Sequence, residues 1–190
     1  MEALEAIFTR KSVRSYSDRH ISQEDLHTIL LAGMSGPSCV NARDWSFIVV
    51  QDKDTLAQMA QANGAPAKPL LGADVGILIC GDLERAFPPA QAYWVIDGAI
   101  AAQNMTLAAH ALGIGSVWLG TWPQMERVEK QAKLLGLPSH IIPHSILALG
   151  YPEEGAKSEV MNCECAQAKW EDDRIHLEKW DCSFDFLVDL

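Results

Sequence analysis

The stretch AIAAQNMTLAAHAL, residues 99–112, decides how this chain folds. It is rich in alanine and apolar on most faces, which predicts a helix that packs on several sides. With the residues before it, the helix should run from about Ala90 to Leu112. Polar residues such as Asp97 and His110 interrupt the apolar run. Because such residues are costly in hydrocarbon, we expect a buried core helix and not a membrane span.

Other helix and strand patterns surround this central helix without a regular βαβ order. The predicted helices are Ala3–Phe8, Ser22 to about Gly33, Asp52–Asn63 and Met125–Leu135. The predicted strands are Trp45–Val50, Val75–Cys80, Gly115–Leu119 and Ser145–Leu149. The proline-containing segment Ala65–Leu71 is expected to be irregular or mobile. The mixture of strands and helices is typical of an α+β fold.

The chain is long enough to bury a sizeable core in one piece. Its 190 residues, of which 48% are apolar, predict a single domain spanning residues 1–190. The tail from about residue 153 is charged and has little apolar periodicity, and its last apolar run, SFDFLV at 183–188, cannot bury itself alone. We therefore expect this C-terminal extension to wrap a partner subunit.

Charge and cysteine content exclude several classes of protein. The chain carries 15 basic and 25 acidic residues, a formal charge of −10, which repels phosphate backbones and anionic lipid. We expect no nucleic-acid or membrane binding. Five cysteines, an odd and sparse set, favour a reducing compartment. The first twenty residues have no apolar run typical of a secretory signal, so the expected location is the cytoplasm.

A basic segment, Arg10-Lys11-Ser12-Val13-Arg14, directly follows the first predicted helix. Arginine forks match phosphate oxygens bidentately and the serine hydroxyl adds a donor, so the segment could form an anion cradle. A solvated surface run is the alternative.

A second motif, PSCVNARDW at residues 37–45, leads into the first predicted strand. A loop with serine, asparagine and free backbone groups can hydrogen bond to a polyol or to the edge of a heterocycle. The alternative is an ordinary loop with an Asx turn.

Taken together and in this order, the motifs resemble those of the nitroreductase-like FMN proteins. Those proteins share an Arg-basic-Ser-x-Arg opening and a Pro-Ser-x-x-Asn loop that enters a strand. They also share a central helix like DGAIAAQN, residues 97–104, which here leads to LGIGSVWLG at 112–120. The closing segment, Arg174-Ile-His176 with Lys179-Trp180, is similar as well. The resemblance covers nearly the whole chain.

The resemblance implies a three-layer α/β/α sandwich with a central mixed sheet and a long central helix. It also implies an intertwined homodimer with the FMN sites at the interface. No catalytic side chain is expected, because FMN carries the chemistry. The implied cofactor-binding residues are Arg10, Lys11, Ser12, Arg14, Pro37, Ser38, Cys39, Asn41, Trp118, Leu119, Gly120 and Arg174.

These residues receive different roles from the resemblance. Arg10, Lys11 and Ser12, joined by Arg174, would hold the phosphate, and Arg14 would reach the pyrimidine edge of the flavin. The 37–41 loop would come from the other subunit and touch the ribityl chain and ring. The backbone of 118–120 would lie near the reactive nitrogen.

The implied function is an FMN-dependent oxidoreductase that uses NAD(P)H to reduce nitroaromatics, quinones or related small acceptors by ping-pong hydride transfer. A flavin reductase, a reductive dehalogenase and a non-catalytic flavin-binding protein remain alternatives. The chain departs from the family pattern at Arg43-Asp44, where Gln-Pro is usual. It also lacks the long insertions that larger relatives carry between Asn63 and Tyr93, so we expect an open acceptor pocket.

Two further groups of residues have competing interpretations. Cys163, Cys165, Cys182 and His176 contain metal-ligand types, but their spacing is not C-x-x-C, so we expect surface thiols and no metal. Trp94 and Trp122 would either wall the acceptor cleft or pack in the core.

Overall fold

The structure, a computed structural model, describes residues 1–153, 171, 174–176 and 178–180. Within these residues the helices are α1 (Ala3–Thr9), α2 (Gln23–Met34), α3 (Lys53–Asn63), α4 (Trp94–Ala111) and α5 (Met125–Leu134). The strands are β1 (Trp45–Val50), β2 (Val75–Asp82), β3 (Gly115–Gly120) and β4 (Ile141–Gly150). Most of the C-terminal extension expected from residue 153 lies outside the described residues.

The strands form one sheet in the order β1-β2-β4-β3. All three neighbouring pairs are antiparallel, which corrects the mixed sheet that we expected. A parallel bridge between Ser12 and Ser116 joins the segment around Ser12 to β3.

Alternating apolar residues give the sheet two buried faces. On β2, Val75, Ile77 and Ile79 pack with α2 and the central helix α4. The intervening Leu78 and Cys80 pack on the opposite face, in the cluster that contains residues of α3. Side chains of successive strand residues point to opposite faces, so one strand can build both interfaces. The result is the predicted three-layer arrangement.

The central helix is shorter than its sequence pattern indicated. It begins at Trp94, whereas residues Pro88–Tyr93 form a 3-10 turn. The two consecutive prolines, Pro88 and Pro89, lack backbone N–H groups, and Ala90 has a φ of −145°, which is not helical. The predicted start at Ala90 is therefore wrong by one turn.

The segment Ala65–Leu71 is a 3-10 helix and not the irregular or mobile segment that we expected. Ala67 and Leu70 are completely buried and join the same apolar cluster as Leu56 and Met59 of α3. Prolines fix φ near the value that a 3-10 turn needs, so they support this short helix.

Other boundaries agree with the patterns or extend them. Ser22 caps α2 by accepting the Asp25 N–H at 3.0 Å, as the capping motif predicts. β4 begins at Ile141, four residues before the predicted start, because residues 141–143 pair with residues 80–82 at the end of β2. No helix in the described part of the chain has the length and apolarity that a membrane span requires.

The central strand β2 should contribute strongly to stability. Ile77 is completely buried, whereas its cross-strand partner Val49, on the edge strand, is 36% exposed. We expect Ile77→Ala to lower the free energy of unfolding by about 2–5 kcal/mol, because it leaves a cavity. Val49→Ala is the matched control and should cost less than about 1 kcal/mol. Urea unfolding checks both values, and equal losses would contradict the layered core.

Candidate functional site

The basic segment 10–14 is extended and fastened along the start of β3. The Val13 N–H donates to the Ser116 carbonyl at 2.9 Å. Further along, the hydroxyl of the half-buried Tyr16 lies within hydrogen-bond distance of the carbonyls of Val13 and Ala148, at 2.7 and 3.0 Å. A Cβ at Gly115 would lie 2.7 Å from the Val13 side chain, so this close approach requires glycine. The segment therefore holds a fixed backbone while Ser12 and Arg14 remain exposed.

Arg14 lines a cleft of about 590 Å³ between the basic segment and the 65–71 turn. The opposite wall carries Lys68, whose position in a proline-rich turn gave no signal in the sequence. Among the described residues, no carboxylate forms an ion pair with Arg14 or Lys68. In a chain of charge −10, two such cations on one cleft favour an anionic or electron-rich ligand.

Lys11 lies away from this cleft. Together with Val13 it lines a separate cavity of about 240 Å³ beside His110 of α4. Alternate residues of an extended chain point to opposite sides, which separates Lys11 from Arg14. His110 contacts the Thr9 hydroxyl at 2.8 Å. Burial, followed by the nearby charges of Arg10 and Lys11, lowers the pKa of His110.

The end of β3 contains the residues 118–120 that the resemblance assigns to the flavin ring. Leu119 buries its side chain in the core, at 4% exposure, whereas Trp118 is 37% exposed. At the last residue, Gly120, a Cβ would meet no atom within 4 Å. Open space therefore lies beside the strand end.

Side chains from α3 and α5 hold this strand end in place. The Gly120 carbonyl accepts from Asn63 Nδ2 at 3.1 Å and from Arg127 Nη1 at 3.0 Å. Asn63 is completely buried, and its Oδ1 accepts from the Thr121 hydroxyl at 2.9 Å. Gly64 directly follows Asn63 and leads into the 65–71 turn. Asn63 therefore connects the end of β3 to the turn that carries Lys68.

The loop Pro37–Asn41 connects α2 to the approach to β1. Ser38 accepts the Arg43 N–H on its hydroxyl oxygen at 3.0 Å, and Cys39–Asn41 form a 3-10 turn. Val40, Asn41 and Arg43 have φ values of 46°, 58° and 51°. Left-handed backbone is unusual for a β-branched residue such as Val40, and such strain is often found at ligand sites.

Two buried carboxyl groups lie behind this loop. Asp97 of α4 is 2% exposed and accepts the Cys39 N–H with both oxygens, at 3.0 and 3.1 Å. Asp44 is 1% exposed and lies beside Asp97. Burial and then the charge of Asp97 raise the pKa of Asp44. The loop and the basic segment thus have separate anchors, α4 and β3.

The remaining predicted residues have simpler surroundings. Arg174 is 74% exposed and forms an ion pair with Glu171 at 2.9 Å. Trp94 is 6% exposed and packs edge-on against Trp122, with ring centroids 5.1 Å apart, which favours the packing interpretation for this pair. Cys163, Cys165 and Cys182 lie outside the described residues.

The sequence profile of the Nitroreductase family matches residues 7–70 and 65–151. The chain belongs to this family. It is 44% identical over 179 residues to a candidate NADH dehydrogenase/NAD(P)H nitroreductase of Archaeoglobus fulgidus. That match covers 94% of this chain and 99% of the relative.

Solved structures of nitroreductases have the same fold. A candidate NADH dehydrogenase/NAD(P)H nitroreductase of Bacteroides thetaiotaomicron superposes with a TM-score of 0.82 at 38% identity, over 94% of this chain and 98% of that one. A candidate nitroreductase of Desulfovibrio desulfuricans, solved in complex with FMN, has a TM-score of 0.70 at 32% identity, over 90% and 96%. The predicted nitroreductase-like α+β fold is confirmed.

The contact between Asn63 and the strand end can be tested through stability. We expect Asn63→Ala to lower the free energy of unfolding by about 1–3 kcal/mol, because the buried Thr121 hydroxyl loses its acceptor and Gly120 loses a donor. Gln61→Ala, on an exposed position of the same helix, should change it by less than about 0.5 kcal/mol. Chemical unfolding of the two variants would contradict the assignment if their losses were the same.

Proposed function

We propose that this protein is an FMN-dependent oxidoreductase that takes hydride from NAD(P)H and reduces a small electron acceptor such as a nitroaromatic or a quinone. The observation that carries the proposal is the cleft where Arg14 and Lys68 meet without a carboxylate partner among the described residues. Membership of the nitroreductase family, and the FMN bound by the Desulfovibrio relative, support this reading of the cleft.

The residues present fit FMN in charge and in shape. A phosphate and an electron-rich pyrimidine edge need cations or N–H donors, and an acidic chain must supply them locally. One rigid extended segment carries Arg10, Ser12 and Arg14 at alternate positions. Gly120, with open space above it, allows a flat ring to approach the backbone.

Each group would have a distinct task. Arg10, Lys11 and Ser12, with Arg174 from the tail, would bind the phosphate, although Lys11 lines the neighbouring cavity and would have to reach across. Arg14 would bind the pyrimidine edge, and we add Lys68 from the opposite wall. The backbone of Trp118, Leu119 and Gly120 would lie against the ring. Bound FMN would supply the hydride chemistry, so the chain itself needs no nucleophile.

We further propose a homodimer in which the loop residues Pro37, Ser38, Cys39 and Asn41 complete the site of the other subunit. Large apolar side chains on α1, α2 and α4 are exposed, and a second subunit would cover them. They are Leu4 (64%), Ile7 (50%), Leu31 (55%), Met34 (51%) and Ile96 (51%). Val40, inside the loop, is 68% exposed, so the loop and this apolar surface would be covered together.

Purification under reducing conditions tests the cofactor and the reaction. We expect a yellow protein that NAD(P)H bleaches anaerobically and that a nitroaromatic or a quinone recolours. Yellow protein inert to both nucleotides would support a flavin-binding protein without turnover. Release of reduced free FMN would support a flavin reductase, and halide release from a halogenated aromatic would support a reductive dehalogenase. Colourless protein that ignores added FMN would contradict the proposal.

The two cleft cations should control flavin retention. We expect Arg14→Ala and Lys68→Ala each to weaken FMN binding by about tenfold or more, because each removes a charge-assisted hydrogen bond worth about 1.5–3 kcal/mol. Fluorescence titration of the apoprotein with FMN measures the change. Lys133→Ala, which removes a cation from the groove between α3 and α5, is the matched control and should leave the affinity unchanged. Equal affinities in all three variants would contradict the placement of FMN beside Arg14 and Lys68.

The proposed dimer can be tested by placing a charge on the apolar surface. We expect Ile96→Asp to convert a dimer to a monomer and to weaken FMN retention, because a buried charge in the interface is costly. Met125→Asp, on α5, is equally exposed in the described structure and is the control. Sedimentation velocity measures the assembly. A wild-type monomer that retains FMN would contradict the shared site.

A further inference from the structure

The buried carboxyl group of Asp44 has no donor among the other described residues. Asp44 directly precedes β1 and is 1% exposed, and neither of its carboxylate oxygens receives an N–H or O–H from another described residue. Burial and the carboxyl group of Asp97, which lies beside it, raise its pKa. Two carboxyl groups can hydrogen bond to each other only if one of them holds a proton. An unpaired buried charge would be costly, so the contact requires that proton.

The proton belongs on Asp44 and the charge on Asp97. Asp97 lies in the first turn of α4, where the helix dipole favours an anion, and it accepts the Cys39 N–H with both oxygens. For Asp44 the supporting group is its own backbone N–H, which lowers the pKa less than burial and Asp97 raise it, and the carboxylate of Asp82 at the end of β2 adds repulsion. Burial, more than either charge, raises the pKa of Asp44.

Other charged groups near this pair do not neutralise it. The guanidinium of Arg43, the preceding residue, donates through Nε to Asn41 Oδ1 at 3.1 Å. On β4, His144 packs close to Gly98 of α4, and burial lowers its pKa to about 4, so it is neutral at physiological pH. Below the raised pKa of Asp44, about 6, the pair therefore carries one negative charge and one proton.

We propose that Asp44 is a positioning residue whose carboxylic acid donates to Asp97 and thereby holds the Cys39–Asn41 loop in its FMN-binding conformation. Two contacts connect Asp44 to the loop. Asp44 lies against Asp97, and Asp97 accepts the N–H of Cys39, the first residue of the 3-10 turn. This inference rests on the proposed function, since it assumes that the loop contacts FMN. It gives the Arg43-Asp44 departure from the family's Gln-Pro a physical role.

Loss of the proton should release the loop. When Asp44 ionises, two adjacent anions repel each other inside the protein and Asp97 can no longer hold Cys39 in the same place. For a carboxyl group with a raised pKa, the stabilisation is complete below the ordinary pKa of aspartate and is lost as pH rises through the raised value. The affinity for FMN should therefore fall as pH increases.

The test compares the wild type with Asp44→Asn between pH 5 and pH 8. Asparagine has the same shape and donates an N–H to Asp97 at every pH, so it mimics the protonated acid. We expect the ratio of the wild-type Kd for FMN to that of the variant to rise by about tenfold over this range. This is the effect of a pKa of Asp44 that differs by about one unit between the free and the FMN-bound protein. Using the ratio cancels the titration of the FMN phosphate and of His110. A ratio that stays constant would overturn the inference.

Two further measurements keep the test decisive. Infrared difference spectroscopy of the wild type minus Asp44→Asn should show a protonated carboxyl band at pH 5, below the raised pKa of Asp44 of about 6. Absence of that band at pH 5 would overturn the inference even if the variant folds poorly. Asp54→Asn, on an exposed position of α3, is the control and should keep the pH profile of the wild type. A wild type that binds no FMN at any pH would instead contradict the proposed function.

Discussion

Burial of α4 against the central strands is the interaction on which the rest of the structure depends. Its 18 residues span about 27 Å. Asp97 near one end fastens the Cys39 loop, and His110 near the other contacts Thr9, directly before the basic segment. The two contributions of a subunit, its basic segment to its own proposed flavin site and its loop to the site of the partner, are thus both connected to one helix.

Close packing holds α2 and the residues after it against α4. A Cβ at Gly33 of α2 would collide with the Met105 side chain, and one at Gly36 would lie 2.8 Å from Ile100. Both glycines therefore let α2 approach α4 closely enough to exclude water. The same approach positions the start of the 37–41 loop, which begins just after Gly36. The packing of α2 against α4 therefore also determines where the loop begins.

Local patterns predicted the elements whose signals lie within a few residues. The capped helix α2 and the strands β1 and β2 follow from such patterns, and the ordered motifs identified the family. The patterns failed where pairing or packing across the chain decides the outcome. β4 begins early because residues 141–143 pair with the end of β2, and Ala65–Leu71 is ordered because Leu70 enters a core built by α3. Lys68 was missed for the same reason, because only the fold brings it opposite Arg14.

Arg43-Asp44, which stands where Gln-Pro is usual in the family, alters both the backbone conformation and the charge of this loop. A proline at position 44 would confine residue 43 to extended conformations, because its ring clashes with the residue before it. Arg43 instead has a φ of 51°, in the left-handed region. Replacing the proline permits that turn and places an acid beside Asp97. The loop of this chain is therefore shaped by a proton-dependent contact at a position where the family's usual proline has no group to titrate.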